Sequence, residues 1–395
     1  MDTTARMMEM LVRERPVGTS GNREILAYVE KQFSEAGYAV DSLPLKCMTW
    51  EEGPSWLAIG NERLPILPGP FSPSFHGRAE GVFLHSLEEL KASNLGGKLV
   101  VLLDELVQSP LQPKEYPFYY PDEHREIITA LEEKPPAAIL AATGRHPACG
   151  MEPFAVFADG NFRIPSAYVH AATGKALQRR GRIPMEICID STTQWVESRQ
   201  LVAGRGAAPG VRRGVVCAHM DSAYHSPGAL DNAAGLAMML RLMERLKNGQ
   251  AGAIDFVPFN TEEYFGADGE LAYLNRFHNL RKEVAWILNL DSPCHAGSRM
   301  AVSTYHLEEE KVRALEASMV EDGPVVSGAP WYAGDHIPFV MQGVPGLAVA
   351  SSDLAEDGLK DTHTPGDVLS TVDVPQIEMG SRFLAEFITR HLRQA

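Results

Sequence analysis

The chain has 395 residues, of which 45% are hydrophobic and 22% are charged, and its formal net charge is −15. A chain of this length exceeds one ordinary hydrophobic core, and its composition is that of a well-buried globular protein, so we expect two domains. The acidic charge argues against nucleic-acid partners, and no stretch approaches the ~20 apolar residues needed to span a membrane.

The first sixteen residues do not have the pattern of a secretory signal, because Asp2, Glu9 and Glu14 interrupt the apolar residues. The cysteines are odd in number, scattered, and form no CxxC pair. This pattern argues against a disulfide framework or a cysteine zinc site and is typical of buried, reduced thiols in a cytoplasmic protein. The cysteines are Cys47, Cys149, Cys188, Cys217 and Cys294.

The N-terminal region predicts two helices separated by a break. Residues 3–13 carry apolar side chains at helical spacing, residues 15–21 interrupt the pattern with proline and glycines, and residues 22–36 resume it. Gly37 is the expected C-terminal cap, followed by a short strand at residues 38–40. The apolar stripe of the second helix consists of Ile25, Leu26, Val29 and Phe33.

The pattern changes between about residue 47 and residue 193, where prolines and glycines are frequent and the apolar runs are short. The runs at residues 98–103, 137–142 and 186–189 predict strands of a smaller, β-rich domain. The aromatic- and proline-rich segment at residues 116–120 predicts a loop.

From about residue 200 onward, short apolar runs alternate with helical stretches. This alternation predicts an α/β sheet that is covered by helices on both faces. The predicted strands are residues 214–218, 254–259, 284–290 and 346–350. The predicted helices are residues 232–247, 269–277, 307–319 and 374–392.

Histidine and carboxylate side chains follow three of these predicted strands, and others stand in nearby loops. They are His219, Asp221, Asp231, Glu262, Glu263, Asp291 and His363. Because ligands bind at the carboxyl ends of strands in open α/β sheets, we expect these side chains to share one rim. Imidazole and carboxylate together suit zinc and similar divalent ions.

The charges favour two ions, since two divalent metals bring four positive charges. Asp231, Glu263 and Asp291 would supply three negative charges and a bridging hydroxide the fourth. At the end of a strand, neighbouring side chains point in different directions. One glutamate of the pair Glu262-Glu263 can therefore bind metal while the other transfers a proton, and Asp221 can hold the free imidazole N–H of His219.

Each of these residues also has a simpler interpretation. Asp231 could be a helix N-cap, Asp291 a turn residue, and His363 a surface histidine. His219 could be a satisfied strand-end histidine, and the glutamates could be solvated. What these interpretations leave unexplained is the occurrence of all the residues at corresponding ends of one sheet.

The segments around these residues resemble the M28 family of zinc aminopeptidases, in order and spacing, from about residue 200 to the end of the sequence. Residues 15–40 also resemble the opening segment of that family. The segments are Cys-Ala-His-Met-Asp-Ser at 217–222, Gly-Ala-Leu-Asp-Asn-Ala-Ala-Gly at 228–235, Thr-Glu-Glu-Tyr-Phe-Gly at 261–266, Asn-Leu-Asp at 289–291, Gly-Asp-His-Ile-Pro-Phe at 334–339, Gly-Val-Pro at 343–345, and His-Thr-Pro-Gly-Asp at 363–367.

This resemblance implies an α/β fold with a mixed, mostly parallel central sheet and helices on both faces, the zinc-peptidase fold. Residues 1–45 and 200–395 would form the catalytic domain. Residues 46–199 resemble, more loosely, a protease-associated (PA) domain inserted before the first ligand. The inserted part rests on residues 98–103, 137–142 and 164–169, and on a helix at residues 171–179.

The resemblance also implies a set of ligands for two zinc ions. Asp231 would bridge both ions, His219 and Asp291 would complete one, and Glu263 and His363 the other. Cobalt or manganese could occupy the same ligands.

Further roles follow from the same resemblance. Glu262 would be the general base and acid, Asp221 would orient His219, and the peptide between Asp231 and Asn232 would be cis. The implied activity is removal of N-terminal residues from peptides. Tyr332 is a candidate substrate-binding residue that could equally serve packing.

Three alternatives remain open at this stage. A carboxypeptidase of the same fold should place arginines near the metals, and Arg299, which is more simply a surface residue, is the only nearby candidate. A glutaminyl cyclase typically uses one zinc, whereas five ligands argue for two. A non-enzymatic binding protein on a peptidase fold would have lost ligands. His225, His295 and His336 are interpreted as structural or surface residues, and the sequence predicts no oligomeric state.

Overall fold

The computed structural model describes residues 3–146, 148, 154–204, 210–248 and 252–393. The chain divides into two compact units, one formed by residues 1–47 and 197–395 and the other by residues 48–196. Among the described cysteines, Cys47, Cys217 and Cys294 are buried free thiols, and Cys188 is a half-buried one. Cys149 lies outside the described residues.

The strands occupy both units. In chain order they are β1 (Ala39–Glu52), β2 (Trp56–Ile59), β3 (Glu62–Pro65), β4 (Leu67–Pro68), β5 (Phe75–Leu84), β6 (Leu99–Leu102), β7 (Ala138–Ala142), β8 (Ser166–Val169), β9 (Pro184–Ile189), β10 (Ser191–Gly204), β11 (Arg213–His219), β12 (Ile254–Phe259), β13 (Val284–Leu290), β14 (Met300–Tyr305), β15 (Val325–Ser327) and β16 (Gly346–Ser351).

The α-helices are also spread over the chain. They are α1 (Thr3–Leu11), α2 (Ser20–Glu35), α3 (Leu87–Ala92), α4 (Asp122–Glu133), α5 (Ala171–Arg179), α6 (Gly235–Leu246), α7 (Asp268–Leu274), α8 (Leu280–Glu283), α9 (Glu309–Ala317), α10 (Ile337–Val340) and α11 (Val374–Phe387). Among the described residues, none of these helices combines the length and the apolar character that crossing a bilayer would require.

The first unit is built on an eight-stranded sheet with the order β1-β10-β12-β11-β13-β16-β14-β15. Its centre is parallel, because β11 runs parallel to β12 and β13, and β13 runs parallel to β16. Strand β10 pairs antiparallel with β12, and β14 pairs antiparallel with β16 and parallel with β15. The central strands are mostly apolar and almost wholly buried, as expected of parallel strands that are covered on both faces. The mixed α/β sheet expected from the sequence is confirmed.

Alternate residues of the central strands pack against helices on opposite faces, as the two-residue repeat of a strand requires. Val216 and Ala218 of β11 contribute to a core with the apolar sides of α1, α2, α6 and α11. Val215 and Cys217 contribute to a second core with buried residues of α7, α8 and α10. Helices therefore cover both faces, as predicted.

Helix α2 shows how local sequence fixes the ends of an element. Thr19 is its N-cap, and the Thr19 hydroxyl accepts a hydrogen bond from the Asn22 amide. Gly37 follows with φ +80°, a conformation that suits glycine. Ile25 and Phe33 are fully buried on the predicted apolar stripe.

The second unit contains another eight-stranded sheet, with the order β3-β2-β9-β5-β6-β7-β8-β4. Strands β5 to β8 run parallel, and its other pairs are antiparallel. The strands predicted at 98–103, 137–142 and 186–189 are present, and α5 has the predicted bounds. Helix α4 was not predicted. The resemblance of this unit to a PA domain stays a prediction.

The most informative difference from the sequence prediction lies before α6. A helix was expected from residue 232, but α6 begins at Gly235. Residues Ala229–Ala234 form an irregular turn in which Asp231 and Asn232 have non-helical backbone angles. The interpretation of Asp231 as a helix N-cap is wrong, since Ala234 occupies that position.

Candidate metal centre

Three neighbouring parallel strands end at the same edge of the first sheet and carry candidate ligands there. His219 is the last residue of β11 and lies level with Phe259, the last residue of β12. Glu263 follows β12 within a few residues, and Asp291 directly follows β13. The rim predicted from the sequence therefore exists at the carboxyl ends of these strands.

The carboxylate of Asp231 stands between two imidazoles. Its Oδ1 lies 2.9 Å from His219 Nε2, and its Oδ2 lies 3.1 Å from His363 Nε2. On the first side, Asp291 Oδ1 is 3.7 Å from His219 Nε2. On the second side, Glu263 Oε1 is 2.8 Å from His363 Nε2. The structure thus brings the five predicted ligands into two groups that share Asp231.

The spacing and the donor set of these groups fit zinc. Ligand atoms about 2.0–2.1 Å from a tetrahedral zinc are separated by about 3.3 Å, and the four distances above bracket that value. Single ligand atoms of His219, Asp231 and Glu263 lie within 4.8 Å of one another. Glu263 Oε1 is buried and makes no hydrogen bond, although an imidazole nitrogen lies beside it. A cation between the two atoms would satisfy both.

The electrostatics of the cluster are those of a buried acidic site. Burial, aided by Glu263 and opposed by His219, raises the pKa of Glu262 well above its ordinary value. Burial alone would raise the pKa of Asp231, but hydrogen bonds with His219 and His363 hold it far below the ordinary range. Burial likewise opposes the charged form of His363, and Glu263 and Asp231 outweigh it and raise its pKa. Positive charge is therefore favoured here.

Asp221 contacts two of the predicted ligand residues, His219 and Glu263. Its backbone carbonyl lies 3.3 Å from His219 Nδ1, and its carboxylate Oδ1 lies 3.7 Å from the same nitrogen. The other carboxylate oxygen accepts a 3.1 Å hydrogen bond from the Glu263 amide. Asp221 thus lies beside His219, as predicted, and also holds the segment that carries Glu263, which was not predicted.

Two further residues fix the turn that carries Asp231. The carboxylate of Asp367 accepts hydrogen bonds from the amides of Leu230 and Asp231, at 2.7 and 3.0 Å. The side chain of Asn232 donates to the Leu290 carbonyl at 2.8 Å, next to Asp291. The peptide between Asp231 and Asn232 is cis, as the resemblance implied. The sequence contained one signal for Asp367, its place in the His-Thr-Pro-Gly-Asp motif, but assigned it no role.

The remaining candidates have other contacts. The Tyr332 side chain is 69% exposed, and its ring packs edge-on against Tyr305 at 5.9 Å. Arg299 is exposed. His295 pairs with Asp353 at 2.9 Å. His336 is buried, and burial lowers its pKa to about 4, so that it is a neutral, structural imidazole.

The chain is similar to known proteins in both sequence and fold. The family model described as Peptidase family M28 matches residues 203–388. This match confirms, over those residues, the resemblance seen in the sequence. No curated protein sequence matches the chain.

Solved structures match nearly the whole chain. An aminopeptidase from Aneurinibacillus sp. strain AM-1 is 18% identical, with 98% of this chain and 92% of that chain covered and a TM-score of 0.74. BSAP, a zinc aminopeptidase from Bacillus subtilis, is 16% identical, with coverages of 99% and 94% and a TM-score of 0.75. A peptidase M28 precursor from Shewanella amazonensis SB2B is also 16% identical, with coverages of 99% and 93% and a TM-score of 0.71. At these identities the matches establish the fold.

Proposed function

We propose, from its match to peptidase family M28, that this chain is a metallo-aminopeptidase that uses two zinc ions to remove N-terminal residues from peptides. The observation that carries the proposal is the carboxylate of Asp231, whose two oxygens face two different imidazoles at 2.9 and 3.1 Å. A carboxylate in that position can serve two ions at once. Zinc aminopeptidases among the structures of the same fold support the choice of metal and reaction.

In this proposal each of the two groups of ligands described above holds one ion, and Asp231 belongs to both groups. His219 and Asp291 join one oxygen of Asp231, and Glu263 and His363 join the other. Ions held by these residues would supply Lewis-acid chemistry, which lowers the pKa of bound water to about 7 and polarises the carbonyl of the scissile bond. Cobalt or manganese could take the same positions, because nitrogen and oxygen ligands suit them as well.

Glu262 is the proposed general base and acid. It stands beside Glu263 after β12, and successive side chains of such a segment point in different directions. While Glu263 faces His363, Glu262 is left to take a proton from the attacking water and deliver it to the leaving amine. Asp221 keeps His219 in place through the contacts described above.

The first experiment replaces Glu262 with glutamine, which keeps the size of the side chain and removes its basicity. We expect Glu262→Gln to bind two equivalents of zinc, as the wild type does, and to lose about 10²–10⁴-fold in kcat on aminoacyl-nitroanilides. Glu310→Gln, at an exposed position of α9, is the matched control and should keep full activity. A Glu262→Gln variant with wild-type turnover would show that another group moves the proton.

The second experiment tests specificity with the zinc-loaded enzyme. Peptides with a free amino terminus should be shortened from that end, and the same peptides with a blocked amino terminus should survive. Cleavage of the blocked peptides from the carboxyl terminus would instead favour a carboxypeptidase, and cyclisation of N-terminal glutamine a cyclase. A protein that binds zinc and turns over none of them would be the binding protein considered above.

A further inference from the structure

The break between α1 and α2 contains a buried arginine that the proposed mechanism does not use. Arg15 is fully buried in the first unit. Burial lowers its pKa to about 10, against the opposing effect of Asp367, so the guanidinium is charged at neutral pH. Burying a charge is costly unless hydrogen bonds compensate for the lost water, so the contacts of this side chain need an explanation.

The guanidinium is satisfied by backbone carbonyls. Its Nε donates to the Met220 carbonyl at 2.7 Å, Nη1 to the Pro227 carbonyl at 2.8 Å, and Nη2 to the Gly228 carbonyl at 3.0 Å. Nη1 also donates to the Arg13 carbonyl at 3.0 Å. Within the described part of the chain, no carboxylate lies at ion-pair distance from Arg15.

These carbonyls belong to the two segments that carry the first ligand and the shared ligand. Met220 lies between His219 and Asp221, and Gly228 opens the turn that leads to Asp231. One planar side chain therefore links the end of β11 to the turn before α6. The space around it is tight, because a Cβ built on Gly228 would lie 2.9 Å from Arg15 Nη1.

The same N-terminal stretch also reaches the segment of the glutamates. The side-chain amide of Asn22 donates to the Asn260 side chain at 2.6 Å, and the Asn260 amide donates back at 3.3 Å. Asn260 directly follows β12 and precedes Glu262 by two residues. The stretch from Arg15 to Asn22 thus contacts three ligand-bearing segments.

We propose that Arg15 is a positioning residue of the metal centre, whose forked guanidinium fixes the segment of His219 against the turn of Asp231 so that both ligands meet the same ion. The inference rests on the proposed function, because it assumes that these residues bind metal. It extends the site to the segment between α1 and α2.

The charge of Arg15 and the geometry of its hydrogen bonds have opposite effects on zinc affinity, so the two effects can be separated. A cation near the site repels divalent ions, so the charge of Arg15 by itself weakens metal binding. Any loss of zinc affinity on substitution must therefore come from geometry. Lysine keeps the charge but has a single ammonium group, which cannot reach three carbonyls in different directions.

The test compares Arg15→Lys with the wild type and with Arg13→Lys. Arg13 is two residues away and binds Glu24 at the surface, at 2.6 Å, so its substitution is a matched control. Zinc affinity is measured by competition with a chelator, and Tm is measured with and without zinc. We expect Arg15→Lys to bind zinc about 10–100-fold more weakly, with a smaller zinc-induced rise in Tm. At saturating zinc its kcat should fall with little change in KM, and Arg13→Lys should match the wild type.

Two results would overturn the inference. One is a folded Arg15→Lys protein with wild-type zinc affinity. The other is a lower Tm without zinc combined with an unchanged zinc-induced rise, which is the signature of a purely structural residue. A wild-type protein that binds no zinc would overturn the proposed function itself, and is distinguished by being seen before any variant is made.

A second variant covers the case in which Arg15→Lys does not fold. The Ser222 hydroxyl accepts a 3.0 Å hydrogen bond from the Arg15 amide and donates to the Ser226 carbonyl at 3.1 Å. Ser222→Ala loosens the same connection without changing any charge. We expect a several-fold loss of zinc affinity, and unchanged affinity in this variant would overturn the inference.

Discussion

At the scale of single residues, the carboxylates of the candidate metal centre differ in what they contact. Asp231, Glu263 and Asp291 face imidazole nitrogens, whereas Asp367 faces backbone amides. Asp367 helps to position the Asp231 carboxylate, because the Asp231 amide is one of the two amides that donate hydrogen bonds to Asp367. The side chain of a ligand can be no better placed than its own backbone.

A prediction at this scale concerns Asp367→Asn. The amide side chain has one acceptor oxygen, so one of the two amide N–H groups would lose its partner and face an NH₂ group instead. We expect a loss of about 1–3 kcal/mol in the free energy of unfolding, measured by urea denaturation of the zinc-loaded protein. Asp357→Asn, which removes only a surface contact with Lys360, is the control and should unfold as the wild type does. Equal stability of the Asp367 variant would mean that these hydrogen bonds are replaced by others.

The candidate ligands could be predicted from the sequence, but the residues that hold those ligands in place could not. His219, Glu263 and Asp291 could be found because each stands at or just after a recognisable strand end. Arg15 and Asp367 could not, since their partners are backbone groups whose positions depend on the finished fold. The role of Asp231 was ambiguous for a similar reason, because an aspartate before a helix is expected both at a helix N-cap and in an irregular turn.

At the scale of elements, the beginning of α6 is a tightly packed point of the first unit. Gly235 is its first residue, and a Cβ built there would lie 2.2 Å from Asn232 Oδ1 and 2.4 Å from the Leu290 carbonyl oxygen. The Gly235 amide also donates to Asn232 Oδ1. Glycine is therefore required here by close approach, while its backbone angles are helical.

We therefore predict that Gly235→Ala destabilises the protein by about 3 kcal/mol or more, because backbone of β13 would have to move. Gly297→Ala is the control: Gly297 has φ +87° and open space around it, so only the conformational cost of about 1–2 kcal/mol is expected. Urea denaturation measures both, and zinc content should fall only in the Gly235 variant. If the two variants are equally stable, the close approach is not limiting.

The predicted elements match best where burial is complete. Strands β12 and β13 have the bounds expected from the sequence, since each is a mostly apolar segment at the centre of the sheet, with one buried polar residue, Asp255 in β12 and Asn289 in β13. Strands β14 and β15 were missed: they lie toward one edge, and β14 includes Ser303 and Thr304, which weaken the hydrophobic pattern. Of the long strand β1 only the beginning was predicted, as the short strand at residues 38–40, and β10 was not predicted, because polar residues occupy much of each.

At the scale of the whole molecule, the alternation of strands and helices was enough to predict the α/β sheet of the first unit. The second unit was predicted as β-rich, and its helix α4 was not predicted, because only three of its residues are buried apolar ones, Ile127, Ile128 and Leu131, in a mostly polar segment. Each unit has its own buried core, so the stability of each unit has its own dependence on conditions such as pH.

Asp159 gives the second unit a dependence on pH. It is buried, and burial raises its pKa from an ordinary 3.8 to about 6, although the amides of Asn161 and Lys114 oppose the shift. Between these two values the unfolded chain has released the proton and the folded chain retains it. The free energy of unfolding therefore falls as the pH rises through this window, by at most about 3 kcal/mol.

Asp159→Asn should remove this contribution, so its free energy of unfolding relative to the wild type should rise between pH 4 and pH 6 and then level off. Urea denaturation at half-unit pH steps measures the difference. Asp122→Asn, at a side chain that is 90% exposed, should follow the wild type in parallel. A difference between Asp159→Asn and the wild type that is flat across the window would show that Asp159 is ionised in the folded protein at low pH.

The residues that meet at the metal centre, from Arg15 to Asp367, are separated by most of the chain. A protein is synthesised from its N-terminus, so the break that contains Arg15 and the strand that ends at His219 emerge from the ribosome long before His363. Until that last loop is free, the shared carboxylate has only one of its two imidazoles. The candidate centre would therefore be completed only after the segment that carries His363 has been synthesised.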